Sequence, residues 1–222
     1  MKVIVTTGPS YEPIDEVRRI TNFSSGELGL LLANALARAG WEVFCLKGAY
    51  ATSALPLAMG HLVGFTTNDD LNEQLARLAA ENDIAALFHV AALCDYKVAR
   101  VEDERGARQS AAKIESRAGA LTLSLEPARK VIAGLRELFP RAVLVGWKYE
   151  LNGSRPEALA KVWRQTRECR TDACVVNGRA WGDGFGFCAP PDSVLELADK
   201  PAVAEFLAGW LQRRCGKARP AV

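Results

Sequence analysis

The stretch Lys2-Val3-Ile4-Val5-Thr6-Thr7-Gly8-Pro9 is a short, mostly β-branched run that ends in a turn. Such a run predicts a strand buried on both faces, as in a parallel sheet. After a long polar loop, apolar residues recur at the three-to-four spacing of a helix over 26–40, with Gly40 at its end. The next strand is predicted over 41–46. This order of strand, helix and strand favours the start of a parallel α/β sheet.

The rest of the chain repeats that alternation. Helices are predicted over 68–82, 127–138, 156–169 and 200–214, the first capped by Asn68 or Asp69 and the last by Asp199. Strands are predicted over 84–91, 142–149, 173–177 and 194–197, with two short, partly exposed strands at 113–114 and 120–125. Segment 55–63 fits either a loop or a short helix, and 101–112 is predicted to be a mobile loop.

Together these elements predict one fold class. We expect an α/β protein with a doubly wound, mostly parallel, Rossmann-like sheet and a flap excursion around residues 95–125. Residues 1–215 are expected to form a single domain, and 216–222 a disordered tail.

The composition excludes several classes of protein. The chain is 49% hydrophobic, and its net charge of +2 is too small to favour a nucleic-acid or membrane surface. No apolar run is long enough for a membrane span, and the strand pattern begins at Lys2, so we expect no signal peptide. The six cysteines form no C-x-x-C pair, and the two histidines lack zinc-ligand spacing. We therefore expect a cytoplasmic protein with reduced thiols, and the metal ligands stay unknown.

The chemistry is expected beyond the carboxyl ends of the strands, where ligands bind in such sheets. These ends are Gly8-Pro9-Ser10, Ala91-Ala92, Gly146-Trp147-Lys148 and Asn177-Gly178. The first loop ends in a small, polar helix start with Asn22, Ser24, Ser25, Gly26 and Gly29. Backbone N–H groups at such a helix start bind anions. The same pattern also fits a simple N-cap at Ser24 or Ser25 and a packing glycine at position 29.

Two common phosphate-binding motifs do not fit. A dinucleotide fingerprint needs its glycines directly after the first strand and an acidic residue at the end of the second. Here Gly26 and Gly29 come late, and the second strand ends Leu46-Lys47-Gly48. A P-loop is excluded because the chain has no G-K-[ST] sequence.

A set of motifs in order resembles phosphopantothenoylcysteine synthetase, also called phosphopantothenate–cysteine ligase. The first two are Gly8-Pro9-Ser10-Tyr11-Glu12-Pro13-Ile14-Asp15, which is similar to G-P-T-x-E-x-I-D, and Val17-Arg18-Arg19-Ile20-Thr21-Asn22-Phe23-Ser24-Ser25-Gly26, which is similar to V-R-x-I-[TS]-N-x-S-[ST]-G. Later matches are Ala91-Ala92-Leu93-Cys94-Asp95-Tyr96, the flap start Lys113-Ile114, and Val145-Gly146-Trp147-Lys148-Tyr149-Glu150. They span about residues 3–178.

The resemblance implies a ligase of coenzyme A synthesis that acts on small molecules. A nucleoside triphosphate, CTP or ATP with Mg²⁺, would activate the carboxylate of 4′-phosphopantothenate as an acyl-nucleotidylate, and cysteine would then attack. The family's acid-binding positions correspond here to Arg18, Asn22, Ala91, Ala92 and Asp95. Asn22 would hold the reacting acyl group, and Arg18 would reach across from the other subunit of a homodimer.

The resemblance also implies a nucleotide half of the site. Its positions correspond to Gly8, Ser24, Gly26, Gly29, Asp95, Lys113, Trp147 and Asn177. Lys113 would close over the triphosphate and offset charge on the leaving pyrophosphate, which makes it catalytic together with Asn22. Each of these residues also has a plain structural interpretation as a turn, cap, core or surface residue.

The departures from the family lie on the nucleotide side. The flap has Lys113-Ile114-Glu115-Ser116 instead of several lysines, as in stand-alone and eukaryotic members. Gln165 and Cys169 stand where CTP-type members have two lysines, and Arg164, Arg167 and Arg170 lie beside them. Two alternatives therefore stay open: a related acid–amine ligase or degenerate paralogue, and an NAD(P)-dependent oxidoreductase.

Overall fold

The computed structural model describes residues 1–110, 112–115 and 119–216. Its helices are α1 (Glu27–Arg38), α2 (Asn68–Glu81), α3 (Val131–Leu138), α4 (Arg155–Glu168) and α5 (Lys200–Arg214). Its first strands are β1 (Lys2–Thr7), β2 (Tyr11–Pro13), β3 (Arg19–Thr21), β4 (Glu42–Gly48), β5 (His61–Phe65) and β6 (Ile84–His89). The later strands are β7 (Tyr96–Asp103), β8 (Leu121–Pro127), β9 (Val143–Tyr149), β10 (Ala173–Asn177), β11 (Phe185–Ala189) and β12 (Ser193–Leu197).

One eight-stranded sheet organises the described chain, in the order β12-β11-β10-β9-β6-β1-β4-β5. The strands from β10 to β5 pair in parallel, whereas β11 and β12 pair antiparallel at one edge. The strand order reverses between β1 and β6, because β4 and β5 lie to one side of β1 and the later strands to the other. The predicted doubly wound, mostly parallel Rossmann-like sheet is therefore confirmed, and β1 and β6 flank its switch point.

Helices cover both faces of the sheet because the strands alternate their apolar side chains between them. Val3 and Val5 of β1 pack in the cluster that contains α1 and α5, whereas Ile4 packs in the cluster that contains α2 and α3. Cys174 and Val176 of β10 pack against α4. In the described chain no helix is long and apolar enough to cross a membrane.

Several sequence-based boundaries were wrong. Part of segment 55–63, open between loop and helix, belongs to the edge strand β5, and the predicted loop over 101–112 begins inside β7, which pairs with β8. Residues 113–114 form no strand, and Thr67 caps α2 instead of Asn68 or Asp69. The hairpins β2–β3 and β7–β8 were missed in whole or in part because short exposed strands have little apolar alternation. Ser116 and the predicted tail from residue 217 onward lie outside the described residues.

Candidate active site

A cavity of about 640 Å³ opens beyond the carboxyl ends of β6 and β9. It is lined by five of the predicted site residues: Asn22, Ala91, Ala92, Asp95 and Trp147. It is also lined by residues that were not predicted to belong to the site: Phe23, Asn68, His89, Leu93, Cys94, Arg129, Lys130, Val131, Ile132, Lys148, Tyr149, Leu151 and Gln165. The fold thus brings segments distant in sequence to the carboxyl edge of the sheet, where the motifs were expected to meet.

Asn22 joins two of these segments at the mouth of the cavity. Its side-chain Nδ2 donates hydrogen bonds to the carbonyl oxygens of Ala92 at 3.2 Å and Leu93 at 2.8 Å. Both of its N–H donors are therefore engaged by the chain after β6, and its Oδ1 remains as the acceptor. Phe23, the next residue, lines the cavity with a fully exposed ring.

A buried polar network holds the chain after β6 in place. The Ser10 hydroxyl donates to Asn68 Oδ1 at 2.7 Å and accepts from the Cys94 amide at 2.8 Å. Asn68 Nδ2 donates to the carbonyl oxygens of Cys94 at 2.7 Å and Arg129 at 3.1 Å. This network fixes the backbone beside Asp95 and the start of α3. Sequence reasoning noticed Asn68 only as a helix cap, because a hydrogen bond between distant segments leaves no local pattern.

The glycines of the first loop lie outside the lining of this cavity. Although the Ser25 hydroxyl accepts a 3.3 Å hydrogen bond from the Glu27 amide, the N-cap of α1 is neither Ser24 nor Ser25 but Gly26, with φ 77°. Its carbonyl accepts a hydrogen bond of 2.8 Å from the Thr7 hydroxyl. Gly8 has φ 78°, and a Cβ on it would lie 2.6 Å from Ala51 Cβ. The chain turns tightly here, so these two glycines have a structural reason that is independent of any ligand.

Gly29 is a packing residue in this geometry. A Cβ at position 29 would lie 2.2 Å from Thr7 Oγ1 and 2.3 Å from Thr7 Cβ, which is closer than any van der Waals contact. The glycine lets α1 approach β1 at the switch point. The role of Gly29 in nucleotide binding stays a prediction.

We expect Gly29→Ala to lower the free energy of unfolding by about 2 kcal/mol, because Thr7 would have to move and give up its bond to Gly26. Gly134→Ala in α3 is the matched control: no atom lies within 4 Å of its Cβ, so it should stabilise the protein by about 0.5–1 kcal/mol through helix propensity. Urea unfolding of both variants measures the sign of each change in the free energy of unfolding. A neutral Gly29→Ala would contradict the packing interpretation.

Arg18 joins the first loop to the flap instead of lining this cavity. It forms an ion pair with Asp15, whose side chain is 1% exposed, and its Nη2 donates to the Ile114 carbonyl at 2.7 Å. The Ile114 amide donates back to Asp15 Oδ2 at 3.1 Å. The Arg18 hydrogen bond holds the pKa of Asp15 well below its usual range. Lys113 precedes this anchor and is exposed, outside the lining of the cavity.

The residues predicted for the nucleotide half of the site differ in whether they line the cavity. Trp147 lines the cavity, and its carbonyl accepts from Gln165 Nε2 at 3.3 Å. Asn177 ends β10, where its carbonyl accepts from the Glu150 amide at 2.9 Å, and it does not line the cavity. Arg164, Arg167 and Arg170 are exposed and lie outside the lining of this cavity, and their substitution for two lysines stays a prediction.

Three basic side chains line the cavity: Arg129, Lys130 and Lys148. Arg129 pairs with Asp69 at 3.0 Å, and Lys148 Nζ lies 3.3 Å from Glu150 Oε1. Burial opposes ionisation of Glu150, but its ion pairs with Lys161 and Lys148 outweigh that effect and hold its pKa below the ordinary 4.5. Asp95 is the one carboxylate among the described residues that line the cavity. The positive charge of the cavity lining therefore suits an anionic ligand.

The family model of the DNA/pantothenate metabolism flavoprotein C-terminal domain matches residues 1–206. The chain belongs to this family. It is 30% identical to the coenzyme A biosynthesis bifunctional protein CoaBC of Thermococcus kodakarensis, over 79% of this chain and 41% of that protein. The CoaBC protein of Escherichia coli K12 is 28% identical over 93% of this chain and 50% of its own length. The chain thus spans about half the length of the curated relatives it matches, or less.

Solved structures of similar fold extend over nearly the whole chain. The DNA/pantothenate metabolism flavoprotein of Streptococcus pneumoniae superposes with a TM-score of 0.84 at 24% identity, covering 96% of this chain and 99% of that one. A Cab2 variant in complex with phosphopantothenate-cysteine superposes with a TM-score of 0.74 at 19% identity, covering 97% and 86%. These likenesses establish the fold, and they agree with the α/β architecture described above.

Proposed function

We propose that this chain joins 4′-phosphopantothenate to cysteine through an acyl-nucleotidylate, as a ligase of coenzyme A biosynthesis. The observation that carries the proposal is that three separate motifs of the resemblance meet in one cavity, which they line with Asn22, with Ala91, Ala92 and Asp95, and with Trp147. Relatives named for coenzyme A biosynthesis, and a similar fold solved in complex with phosphopantothenate-cysteine, support it.

The proposed reaction has two steps. The pantothenate carboxylate attacks the α-phosphorus of CTP or ATP, so that an acyl-nucleotidylate forms and pyrophosphate leaves. The cysteine amine then attacks the acyl carbon, an amide forms, and the nucleoside monophosphate leaves with the bonding electrons. Ala91 and Ala92 have small side chains that leave room for the pantothenate chain. Asn22 has both N–H donors engaged by the chain after β6, and its Oδ1 is an acceptor at the mouth that is suited to orient the entering amine.

The charges of the lining suit phosphate groups. Lys130 and Lys148 are cations in the lining, and cations beside a reacting phosphate can offset its charge. Mg²⁺ binds through substrate phosphates and one or two carboxylates, and Asp95 supplies a carboxylate in the lining. The described residues contain no group of three metal-ligating side chains, so the phosphates would contribute most of the ligands to Mg²⁺.

The deciding assay combines purified protein with 4′-phosphopantothenate, cysteine and Mg²⁺, and supplies CTP or ATP in turn. We expect pyrophosphate release that requires the acid, and amide formation that also requires cysteine. The faster of the two nucleotides identifies the co-substrate. Pyrophosphate release that ignores both the acid and the amine would overturn the proposal, and product from another carboxylate alone would favour a related acid–amine ligase.

We expect Lys113→Gln to slow pyrophosphate release at least about tenfold, because the variant lacks the charge that offsets the leaving pyrophosphate. The anchored neighbour Ile114 should keep the segment in position, so binding of the acid should change little. Lys97→Gln is the matched control, since Lys97 pairs with Glu126 at 3.1 Å on the surface of the β7–β8 hairpin. Rapid-quench measurement of pyrophosphate compares the variants. An unchanged rate for Lys113→Gln would remove it from the catalytic set.

We also propose that the active form is a homodimer in which Arg18 of one subunit binds the acid substrate in the cavity of the other subunit. Its position outside the lining of its own cavity supports this arrangement. Light scattering should give twice the mass of the chain. Mixing inactive Arg18→Ala and Asn22→Asp chains should restore activity, because one of the two sites in a mixed dimer then receives both native residues. A monomeric active enzyme would contradict the proposal.

A further inference from the structure

His89 is a buried polar residue of the cavity to which the proposed reaction assigns no role. It ends β6, and its register partner in β1 is Thr6. The residue is 7% exposed, and it lines the cavity two positions before Ala91. A histidine that is buried at the end of a strand and also reaches a cavity is positioned to contact a ligand.

The hydrogen bonds around Thr6 favour one of the two neutral tautomers of His89. Thr6 Oγ1 accepts a hydrogen bond from the Ala91 amide at 3.3 Å and lies 2.9 Å from His89 Nδ1. Thr6 is fully buried, and among the described residues Nδ1 is the acceptor within reach of its hydroxyl, so the arrangement that satisfies the hydroxyl proton has Nδ1 accepting it. Burial lowers the pKa of His89 to about 4, so the ring is neutral near pH 7. A neutral ring that accepts at Nδ1 carries its proton on Nε2.

Nε2 is then a donor that finds no acceptor in the part of the chain that the structure describes. Among the described residues no atom forms a hydrogen bond with it, and it is not one of the side-chain atoms that are sealed off from solvent. A donor that is held in place by its own ring and by Thr6 loses little freedom when it binds a ligand.

We propose that His89 donates a hydrogen bond from Nε2 to a carbonyl or carboxylate oxygen of the acid substrate. The inference rests on the proposed function, and it adds a substrate contact beyond Asn22, Ala91, Ala92 and Asp95. We favour the acid over the nucleotide as the ligand of Nε2, because the Thr6 hydroxyl contacts both His89 Nδ1 and the Ala91 amide. These contacts hold the Nε2 donor beside the residues that leave room for the pantothenate chain.

Nitrogen-15 NMR of the histidine rings tests the inference directly. The chain has two histidines, and His61 is exposed and stacks on Phe44, so a His61→Gln protein retains one ring signal set. We expect the Nε2–H tautomer in the free protein, a shift of Nε2 on addition of 4′-phosphopantothenate alone, and no such shift with CTP or ATP alone. An Nδ1–H tautomer, or a shift that occurs only with nucleotide, would overturn the inference.

Binding measurements on variants provide the second readout. Calorimetry should show a dissociation constant for 4′-phosphopantothenate about tenfold higher in His89→Leu, a smaller rise in His89→Gln, and unchanged nucleotide binding. If wild-type protein binds no 4′-phosphopantothenate, the proposed function fails; if it binds and His89→Leu binds equally well, only the role of His89 fails. Should His89→Leu not fold, Thr6→Val keeps the ring and removes the donor to Nδ1. Thr6→Val should then weaken binding of 4′-phosphopantothenate but not of nucleotide, and unchanged binding of the acid in that variant would count against the argument.

Discussion

Asn22→Asp is expected to lower steady-state amide formation by about 100-fold, the cost of misplacing reacting groups by about 1 Å. The structure supplies the reason. Nδ2 of Asn22 faces the carbonyl oxygens of Ala92 and Leu93, and a carboxylate oxygen in its place would face the same two acceptors with no proton to donate. The loop before α1 should therefore move away from the chain after β6, and the acyl group should lose its alignment.

The two steps of the reaction should respond differently to this substitution. Asn22 bonds to Ala92 and Leu93 and not to the cations Lys130 and Lys148, so activation of the carboxylate should continue. The acyl-nucleotidylate should accumulate, and rapid quench followed by chromatography should detect it. Asn152→Asp, in an exposed turn, is the matched control and should keep normal turnover. Normal turnover in Asn22→Asp, or loss of pyrophosphate release together with amide formation, would show that Asn22 does not act on the second step.

The sequence predicted the elements that bury apolar side chains. α5 was predicted with its bounds and its Asp199 cap, because the cap and the apolar spacing are local signals. β5 was missed since His61 to Gly64 are exposed at the edge of the sheet, where apolar alternation is not required. α3 begins at Val131, later than the predicted start, after Pro127 has ended β8. Local pattern therefore identifies an element better than it identifies its first residue.

The candidate site was predictable only where a motif carried it. Asn22 and Asp95 lie in quoted motifs, and both line the cavity. Lys130 and His89 line it as well, but a lysine before a helix and a histidine in an apolar strand give no signal of a ligand on their own. Their importance comes from the register of β1 with β6 and from the meeting of α3 with the switch point, which are tertiary facts. Gly29 shows the opposite case. It was predicted for the nucleotide half of the site, but its close approach to Thr7 already explains why the position is a glycine.

His89 should make the stability of the protein steeply dependent on pH between about 6.5 and 4. Burial holds the pKa of the folded state at about 4, whereas the ordinary value is 6.5, so in this range the unfolded chain binds the proton more readily. Stability therefore falls as the pH falls, and the loss reaches about 3 kcal/mol by pH 4, at about 1.4 kcal/mol for each pH unit. Glu150 contributes a loss of the same sign only below about pH 4.5, whereas Glu12, whose pKa burial raises above 4.5, contributes an opposing gain above that pH.

Urea unfolding at half-unit steps from pH 7.5 to 4.5 should measure this slope. The difference in free energy of unfolding between wild type and His89→Gln should shrink as the pH falls, because the variant has no buried ring that must stay neutral. This holds whatever stability the variant loses in packing at pH 7. His61→Gln removes the other imidazole from an exposed site and is the matched control; only the His89 variant should lose the steep section. If wild type and His89→Gln kept a constant difference across the range, the imidazole would take up its proton inside the fold. The neutral Nε2 donor inferred for the cavity would then lose its basis at mildly acidic pH.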